Sequence, residues 1–181
     1  MTSPGIIDII FAAEKLKKEK RKGWIAKAGI KNPESVADHS YATALIAMIV
    51  GDDMNLNTEK MIRMALLHDL GESIIGDIMP GEDPWKEEME DRAMGALFSK
   101  LSGELRSFYE GLWQEFRVGK SPEAVIVHQI DKLEMGIQAM LYLLCGKYEV
   151  LQRFMNAAED ALDNTRLLSL WKEVRSHKNV E

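Results

Sequence analysis

Two histidines and two aspartates are the side chains of this sequence best suited to bind a metal ion. They occur as His39, as the adjacent pair His68 and Asp69, and as Asp131. Neutral imidazole and carboxylate together suit Mn, Fe, Co, Ni or Zn, and a site that leaves coordination positions open can activate water. The four residues fall in three separate predicted helices. A shared site therefore requires a fold that brings those helices together.

The segment around His68 carries two further acids in apolar surroundings. Residues 64–77 read MALLHDLGESIIGD, in which Glu72 follows His68 by four positions and Asp77 follows a glycine. Burying such groups without partners is costly, which indicates a site. If one helix continues through Gly71, Glu72 shares a face with His68 and could order water or move a proton. The alternatives are an exposed acid near a helix end for Glu72 and a turn or cap residue for Asp77.

Arg21 and Trp24 are candidates for ligand contacts because they lie where a basic run ends and the helical pattern breaks. Loop residues held by a helical scaffold commonly supply such contacts. Alternatively, Arg21 is a solvated cation, and Lys22 competes with it as the residue that contacts a phosphate. The alternative for Trp24 is that it fills the core. His128 precedes Asp131 by one turn and is interpreted as a core residue or a residue beside the ligands.

The elements that must position these residues are predicted to be helices. Apolar residues recur at helical spacing from end to end, and runs that alternate with period two are missing, which predicts an all-α fold, a compact multi-helix bundle. Helix starts are marked by Ser3-Pro4, by a capping box from Ser35 to Asp38, by a cap at Asn57 or Thr58, and by Ser121-Pro122. The first predicted helix ends in the basic run 15–22, the second runs to about 53, and the third carries His68. The next three cover about 85–101, 103–119 and 121–145. A helical tail follows from 148 to about 176, with a frayed end at 177–181.

Composition narrows the class of protein. A length of 181 residues suits a single domain, and a net charge of -6 argues against a nucleic acid or an anionic membrane as partner, since both demand a basic surface. The longest apolar runs are too short to span a bilayer, and no signal peptide is visible. The single cysteine, Cys145, fits a reducing cytoplasm, and its apolar neighbours predict that it is buried.

The order of these motifs resembles the HD-domain superfamily of metal-dependent phosphohydrolases, whose signature is H…HD…D. More closely, the chain resembles the subfamily of 5′-deoxynucleotidases and its HD-domain-containing relatives. The likeness runs from about residue 5 to about residue 165, the core of a single HD domain spanning 1–181. The stretches that carry it are RKGW at 21–24, PESVADHS at 33–40, ALLHDLGESIIGDIMP at 65–80 and HQIDKLEM at 128–135.

The resemblance implies a role for each candidate residue. His39, His68, Asp69 and Asp131 would hold one divalent metal, and Glu72 would act in proton transfer around the attacked phosphate. Arg21 would contact the phosphate, Asp77 the sugar 3′-hydroxyl, and Trp24 would crowd the 2′ side and disfavour ribose. The resemblance also implies a homodimer that hydrolyses deoxynucleoside 5′-monophosphates, its small-molecule substrates, to deoxynucleoside and phosphate.

Three alternatives to this activity stay open at this point. Another HD phosphohydrolase activity would act on a nucleoside triphosphate, a cyclic dinucleotide or another phosphodiester. A non-catalytic metal-binding or nucleotide-binding regulator would keep the ligands without turnover, although intact Glu72 and Arg21 argue against it. A purely structural helical interaction protein would bind no metal.

Overall fold

Helices account for the regular secondary structure of the residues that the computed structural model describes, which are 4–79, 81–146 and 149–177. In chain order they are α1 (Pro4–Leu16), α2 (Lys22–Ala28), α3 (Val36–Asp53), α4 (Thr58–Leu67), α5 (Glu72–Ile75), α6 (Lys86–Phe98), α7 (Gly103–Val118), α8 (Pro122–Cys145), α9 (Leu151–Asp160) and α10 (Thr165–Ser176). Within these residues the only strand-like feature is an isolated antiparallel bridge between Lys20 and Ser35. The all-α prediction is confirmed.

The centre of the bundle is formed by three helices, α3, α4 and α8, each of which packs against the other two. Their facing surfaces are apolar and fully buried, as at Ala47 of α3, Met61 of α4 and Ile130 of α8. The predicted start of α3 is confirmed, because Ser35 and Asp38 form a reciprocal capping box. These three helices are also the ones that carry or end at the predicted metal ligands, so packing of the apolar core brings the ligands together.

Gly136 allows α8 to approach α9 and α10 closely. A Cβ placed on Gly136 would lie 2.6 Å from the Cβ of Ala158 and 3.0 Å from the ring of Trp171. Atoms at these distances overlap, so any larger residue would force the helices apart. The close approach holds α9 beside the half of α8 that follows Asp131.

The segment between α1 and α3 differs from its prediction. Helix α1 ends at Leu16, before most of the basic run, and the expected break at Gly23 lies inside the short helix α2. Trp24 is therefore a helical residue and not a loop residue. Arg21 is the residue before α2, and its backbone N–H donates to the carbonyl of Glu34, which ties this segment to the start of α3.

The helix expected to continue through Gly71 instead ends before it. Helix α4 ends at Leu67, His68 is its C-cap residue, and α5 begins at Glu72 after a turn. The condition on which Glu72 and His68 would share a helix face, one helix continuing through Gly71, is therefore not met. Glu72 still reaches the site because the intervening residues 68–71 form a tight turn, in which the N–H groups of Leu70 and Glu72 donate to carbonyls three residues back.

Two further expectations have different outcomes. The prediction that Cys145 is buried was wrong, because the residue is exposed at the end of α8. No helix within the described residues is long and apolar enough to cross a membrane. The Ser3 cap, the start of the tail at Tyr148 and the frayed end at Lys178–Glu181 lie outside the described residues.

Candidate metal and phosphate site

The four predicted metal ligands converge at the junction of α3, α4 and α8. Nε2 of His39 lies 3.2 Å from Nε2 of His68 and 3.1 Å from Oδ1 of Asp131. Oδ2 of Asp69 lies 3.1 Å from the same atom of His68 and 3.8 Å from that of His39. His39, His68 and Asp69 can thus offer ligand atoms that all lie within 4.8 Å of one another, and Asp131 adds a carboxylate beside His39.

Both imidazole rings are oriented by hydrogen bonds at the nitrogen that faces away from this junction. Nδ1 of His68 is 2.7 Å from the carbonyl oxygen of Ala65, to which it donates, and Nδ1 of His39 donates to the carboxylate of Glu134. In the neutral state each ring then presents the Nε2 lone pair to the junction. Two lone pairs and two carboxylates at hydrogen-bonding distance repel one another unless a cation lies between them. The donor set therefore fits a divalent metal ion.

The protonation of His39 follows from the same arrangement. Burial and the charge of Arg21 would lower its pKa, but hydrogen bonds with the carboxylates of Asp131 and Glu134 outweigh both and raise the pKa to about 10. Without a metal, a proton on His39 supplies the positive charge that the cluster requires. Because a metal ligand must be neutral imidazole, binding a metal has to displace that proton.

The two aspartates stay ionised although they are buried. Burial would raise the pKa of Asp69, but His68, Arg21 and His39 hold it well below its usual range. The pKa of Asp131 is likewise lowered, against burial, by its hydrogen bond with His39 and by Lys132. Both carboxylates are thus available as anionic ligands at neutral pH.

Arg21 lies at the edge of the ligand cluster. Its Nη1 donates to Oδ2 of Asp69 over 3.0 Å, and the side chain is largely buried in the wall of the cavity described below. Burial acts to lower its pKa, but Asp69 and Asp131 raise it above the ordinary value, so the guanidinium is permanently charged. Lys22, the competing candidate, has its Nζ 3.9 Å from Glu19 and does not line that cavity.

Glu72 is buried beside the cluster, with 3% of its surface exposed. Its Oε2 atom has no hydrogen-bond partner among the described residues, although it is inaccessible in the protein. Burial, together with the charges of Asp69 and Asp77, raises the pKa of this carboxyl group to about 10. Glu72 therefore holds a proton at neutral pH and lines the cavity, which is what a proton donor requires.

Asp77 lies where the chain turns after α5, at Gly76 with a positive φ of 76°. Its carboxylate accepts from the backbone N–H of Lys22, and its own N–H donates to Glu19 over 3.1 Å. These bonds join the end of α5 to the start of α2. Asp77 thus has a structural role in addition to its place in the cavity wall.

Trp24 belongs both to the core and to the cavity wall. Only 2% of its surface is exposed, and its ring packs against Tyr142 and Phe154, with centroids 5.3 Å and 4.6 Å away. Its Nε1 donates to Glu34 over 2.9 Å, which fixes the plane of the indole. The packing alternative for Trp24 is correct, and the indole also borders the space in which a ligand would lie.

His128 is separate from the metal ligands. Its ring stacks on Phe116 with centroids 4.1 Å apart, and its Nε2 donates to the carbonyl of the same residue over 2.9 Å. This matches the interpretation of His128 as a core or neighbouring residue.

A cavity of about 1270 Å³ opens over the cluster, and its wall contains Arg21, Trp24, Glu72, Asp77 and every predicted metal ligand except His39. Its wall also contains residues that the sequence did not single out, both cationic and apolar: Lys27, Lys86, Trp85, Trp113, Arg117, Met135, Arg153 and Phe154. Glu134, the partner of His39, was missed as well. A signal was present, since Glu134 follows Asp131 by three positions and so lies on a neighbouring part of the same face of α8.

Comparison with known proteins shows that this chain is similar to others in both sequence and structure. The sequence model of the HD domain family matches residues 13–173. The chain is 35% identical to mouse 5′-deoxynucleotidase HDDC2, with 97% of the chain and 89% of the mouse protein covered, and 38% identical to the human protein of that name, with 97% and 87% covered. Among solved structures, a conserved hypothetical protein from Pyrococcus furiosus has a TM-score of 0.81 at 37% identity, covering 94% of this chain and 99% of that one.

Proposed function

The chain belongs to the HD-domain family, and from that premise we propose that it is a metal-dependent phosphomonoesterase that hydrolyses deoxynucleoside 5′-monophosphates to deoxynucleoside and phosphate. The observation that carries the proposal is the convergence of two histidines and two aspartates beside the buried carboxyl group of Glu72. The curated relatives that share this sequence over most of their length are named as 5′-deoxynucleotidases, which supports the same substrate class.

His39, His68, Asp69 and Asp131 would hold one divalent transition metal ion. Such an ion polarises a phosphoryl oxygen and lowers the pKa of bound water, which supplies a nucleophile at neutral pH. Imidazole and carboxylate ligands suit Co, Mn, Fe, Ni and Zn alike. Metal availability and coordination geometry decide which of these ions is bound.

Arg21 and Glu72 would handle the charge and the proton of the reaction. The guanidinium of Arg21 is held at the cluster by Asp69 and can direct its remaining N–H groups at phosphoryl oxygens, where it stabilises negative charge. Glu72 holds a proton that it can give to the leaving 5′-oxygen as the phosphorus–oxygen bond breaks. A neutral acid also avoids repulsion with the phosphate dianion.

Asp77 and Trp24 would recognise the sugar. The carboxylate of Asp77 is an acceptor suited to a 3′-hydroxyl, and the bonds that Asp77 makes with Lys22 and Glu19 fix its position. The indole of Trp24 is immobilised by Glu34, Tyr142 and Phe154. A rigid ring beside the 2′ carbon leaves room for the 2′ hydrogen of deoxyribose but disfavours the larger 2′-hydroxyl group of ribose.

Steady-state turnover of the metal-loaded protein on a nucleotide panel tests the proposal. We expect phosphate release from deoxynucleoside 5′-monophosphates and slower release from the matching ribonucleotides. Failure to release phosphate from any deoxynucleotide would refute the activity, and a preference for a nucleoside triphosphate or a phosphodiester would favour the alternative HD chemistry. Equal rates on ribose and deoxyribose substrates would remove the role given to Trp24.

The protein is further proposed to act as a homodimer in the cytoplasm. On α3, Tyr41, Leu45 and Ile49 form a stripe at four-residue spacing, with 69%, 44% and 58% of their surfaces exposed. Helix α1 packs against α3 and exposes Ile10 and Phe11 as well. Exposed apolar side chains on two helices that pack together are typical of an interface between identical subunits.

Light scattering with size-exclusion chromatography tests the dimer. Replacing Leu45 and Ile49 together by glutamate should yield a monomer. The same double change at Gln152 and Asn156, two exposed polar residues at the same four-residue spacing on α9, serves as the control for added charge. A wild-type protein that is monomeric at micromolar concentration would contradict the dimer.

The exposed Cys145 suits a reducing compartment, which supports the proposed location in the cytoplasm.

A further inference from the structure

Glu134 is a buried acid that the proposed reaction leaves without a role. It lies on α8, three residues after Asp131, and 4% of its surface is exposed. Its neighbours along the buried face of the helix, such as Ile130 and Leu133, are apolar. Removing a carboxylate from water is costly, and the cost must be offset by its partners.

The partner of Glu134 is His39. Among the described residues, the hydrogen bond from Nδ1 of His39 is the only one that the Glu134 carboxylate receives. His39 has no exposed surface, so no water competes for this bond. The two residues lie 95 positions apart on α3 and α8, and the bond joins these helices at the metal ligands.

The two histidines of the cluster are oriented in different ways. Nδ1 of His68 is held by a backbone carbonyl, which comes with the helix and cannot be lost by substitution. Nδ1 of His39 is held by a side-chain carboxylate instead. The orientation of His39 thus depends on one residue, and a carboxylate acceptor also makes the opposite ring nitrogen a better electron donor.

We propose that Glu134 is a positioning residue for the metal site: it holds His39 in the tautomer and ring orientation whose Nε2 lone pair is directed toward His68, Asp69 and Asp131. The inference rests on the proposed function, because it assigns Glu134 a purpose only if those residues hold a metal. Glu134 does not contact the substrate or the reacting atoms. It acts on the metal ligands through its hydrogen bond with His39, and its charge also raises the pKa of the neighbouring Glu34.

The test replaces Glu134 by glutamine, which has nearly the same shape. An amide that presents its NH₂ group to Nδ1 would favour the opposite tautomer, with a proton on the nitrogen that must bind the metal. An amide that presents its oxygen would be a weaker acceptor. The matched control is Glu123→Gln, which makes the same change on the same helix but at an acid that pairs with Lys60, away from the cavity.

Metal affinity is measured by competition of the Co²⁺-loaded full-length protein with a fluorescent chelator. We expect Glu134→Gln to bind Co²⁺ about 10- to 100-fold more weakly than wild type, in line with the loss of other residues that orient metal ligands. Glu123→Gln should stay within about twofold of wild type, as expected for a change outside the cavity wall. Excess Co²⁺ should restore much of the turnover of Glu134→Gln.

A merely structural role predicts the opposite pattern. If Glu134 only joins α3 to α8, its replacement lowers the thermal stability of the chelator-treated protein and leaves Co²⁺ affinity unchanged, and that result would overturn the proposal. If Glu134→Gln does not fold, Glu134→Asp takes its place, since it keeps the carboxylate but withdraws it from Nδ1. An unchanged affinity in that variant would equally overturn the inference.

The proposed function and the role of Glu134 can be contradicted separately. A wild-type protein that binds no Co²⁺ and releases no phosphate contradicts the proposed function. A wild-type protein that binds Co²⁺ and turns over deoxynucleotides, with a folded Glu134→Gln that binds Co²⁺ equally well, contradicts only the role of Glu134.

Discussion

Removing the metal from this protein should leave His39 as an imidazolium well above neutral pH. Hydrogen bonds with Asp131 and Glu134 outweigh burial and raise its pKa to about 10, against an ordinary value of 6.5. At pH 8, a group with a pKa of 10 is about 99% protonated, whereas an ordinary histidine is about 3% protonated. These two protonated fractions differ enough for one titration to distinguish them.

The assay is nitrogen NMR of the chelator-treated protein labelled with ¹⁵N-histidine. The chain has four histidines, so at most four imidazole spin systems appear, and His39→Gln assigns the one of interest. We expect both ring nitrogens of His39 to carry protons at pH 8. Addition of Co²⁺ should broaden that signal as the metal displaces the Nε2 proton, and metal affinity should rise about tenfold per pH unit through the neutral range.

The same shift predicts how the stability of the metal-free protein depends on pH. The folded-state pKa of His39 is raised, so its contribution to folding is fully present below about 6.5 and is lost as the pH rises through about 10. Glu72, whose pKa burial raises to about 10, acts in the same direction from its ordinary value of 4.5. Each group should therefore lower the free energy of unfolding by up to about 1.4 kcal/mol per pH unit inside its window.

Two results together would refute this reasoning. One is a His39 resonance that titrates near pH 6.5 in the metal-free protein, and the other is a free energy of unfolding that stays constant between pH 6.5 and 9. Either the carboxylates would then not act on His39 as the geometry indicates, or the ring would not lie between them.

Three further predictions concern single residues. Glu72→Gln should retain bound Co²⁺ by elemental analysis but lose about 10²- to 10⁴-fold in kcat, the usual contribution of a positioned acid, and full activity would disprove its role. Gly136→Ala should lower the free energy of unfolding by about 1–3 kcal/mol in urea denaturation, because the new methyl group overlaps Ala158; Gly95→Ala, where nothing lies within 4 Å, is the control and should be neutral or stabilising. Asp77→Asn should lower kcat/KM for deoxynucleotides by about 10- to 100-fold, as expected for the loss of a hydrogen bond to a charged group. The kcat/KM for 2′,3′-dideoxynucleotides, which lack the 3′-hydroxyl, should be unaffected. An equal loss on both substrates would contradict contact with the 3′-hydroxyl.

Local sequence predicted much of the fold because helix signals depend on neighbouring residues. The capping box at Ser35 and Asp38 and the Ser121-Pro122 start of α8 occur where they were expected. Predictions failed where tertiary contacts override local preference. The bridge between Lys20 and Ser35 interrupts the basic run, and the turn at residues 68–71 separates Glu72 from the helix that ends at Leu67.

Sequence alone determined which side chains could do chemistry, since residue type decides what an imidazole, a carboxylate or a guanidinium can bind. Only the tertiary structure decided how those groups behave. His39 and Glu134 meet because α3 packs on α8, and neither residue carries a local signal of the other 95 positions away. The raised pKa of Glu72 arises in the same way, from burial beside Asp69 and Asp77. Protonation and orientation depend on dielectric surroundings and distance, which exist only once the helices are packed.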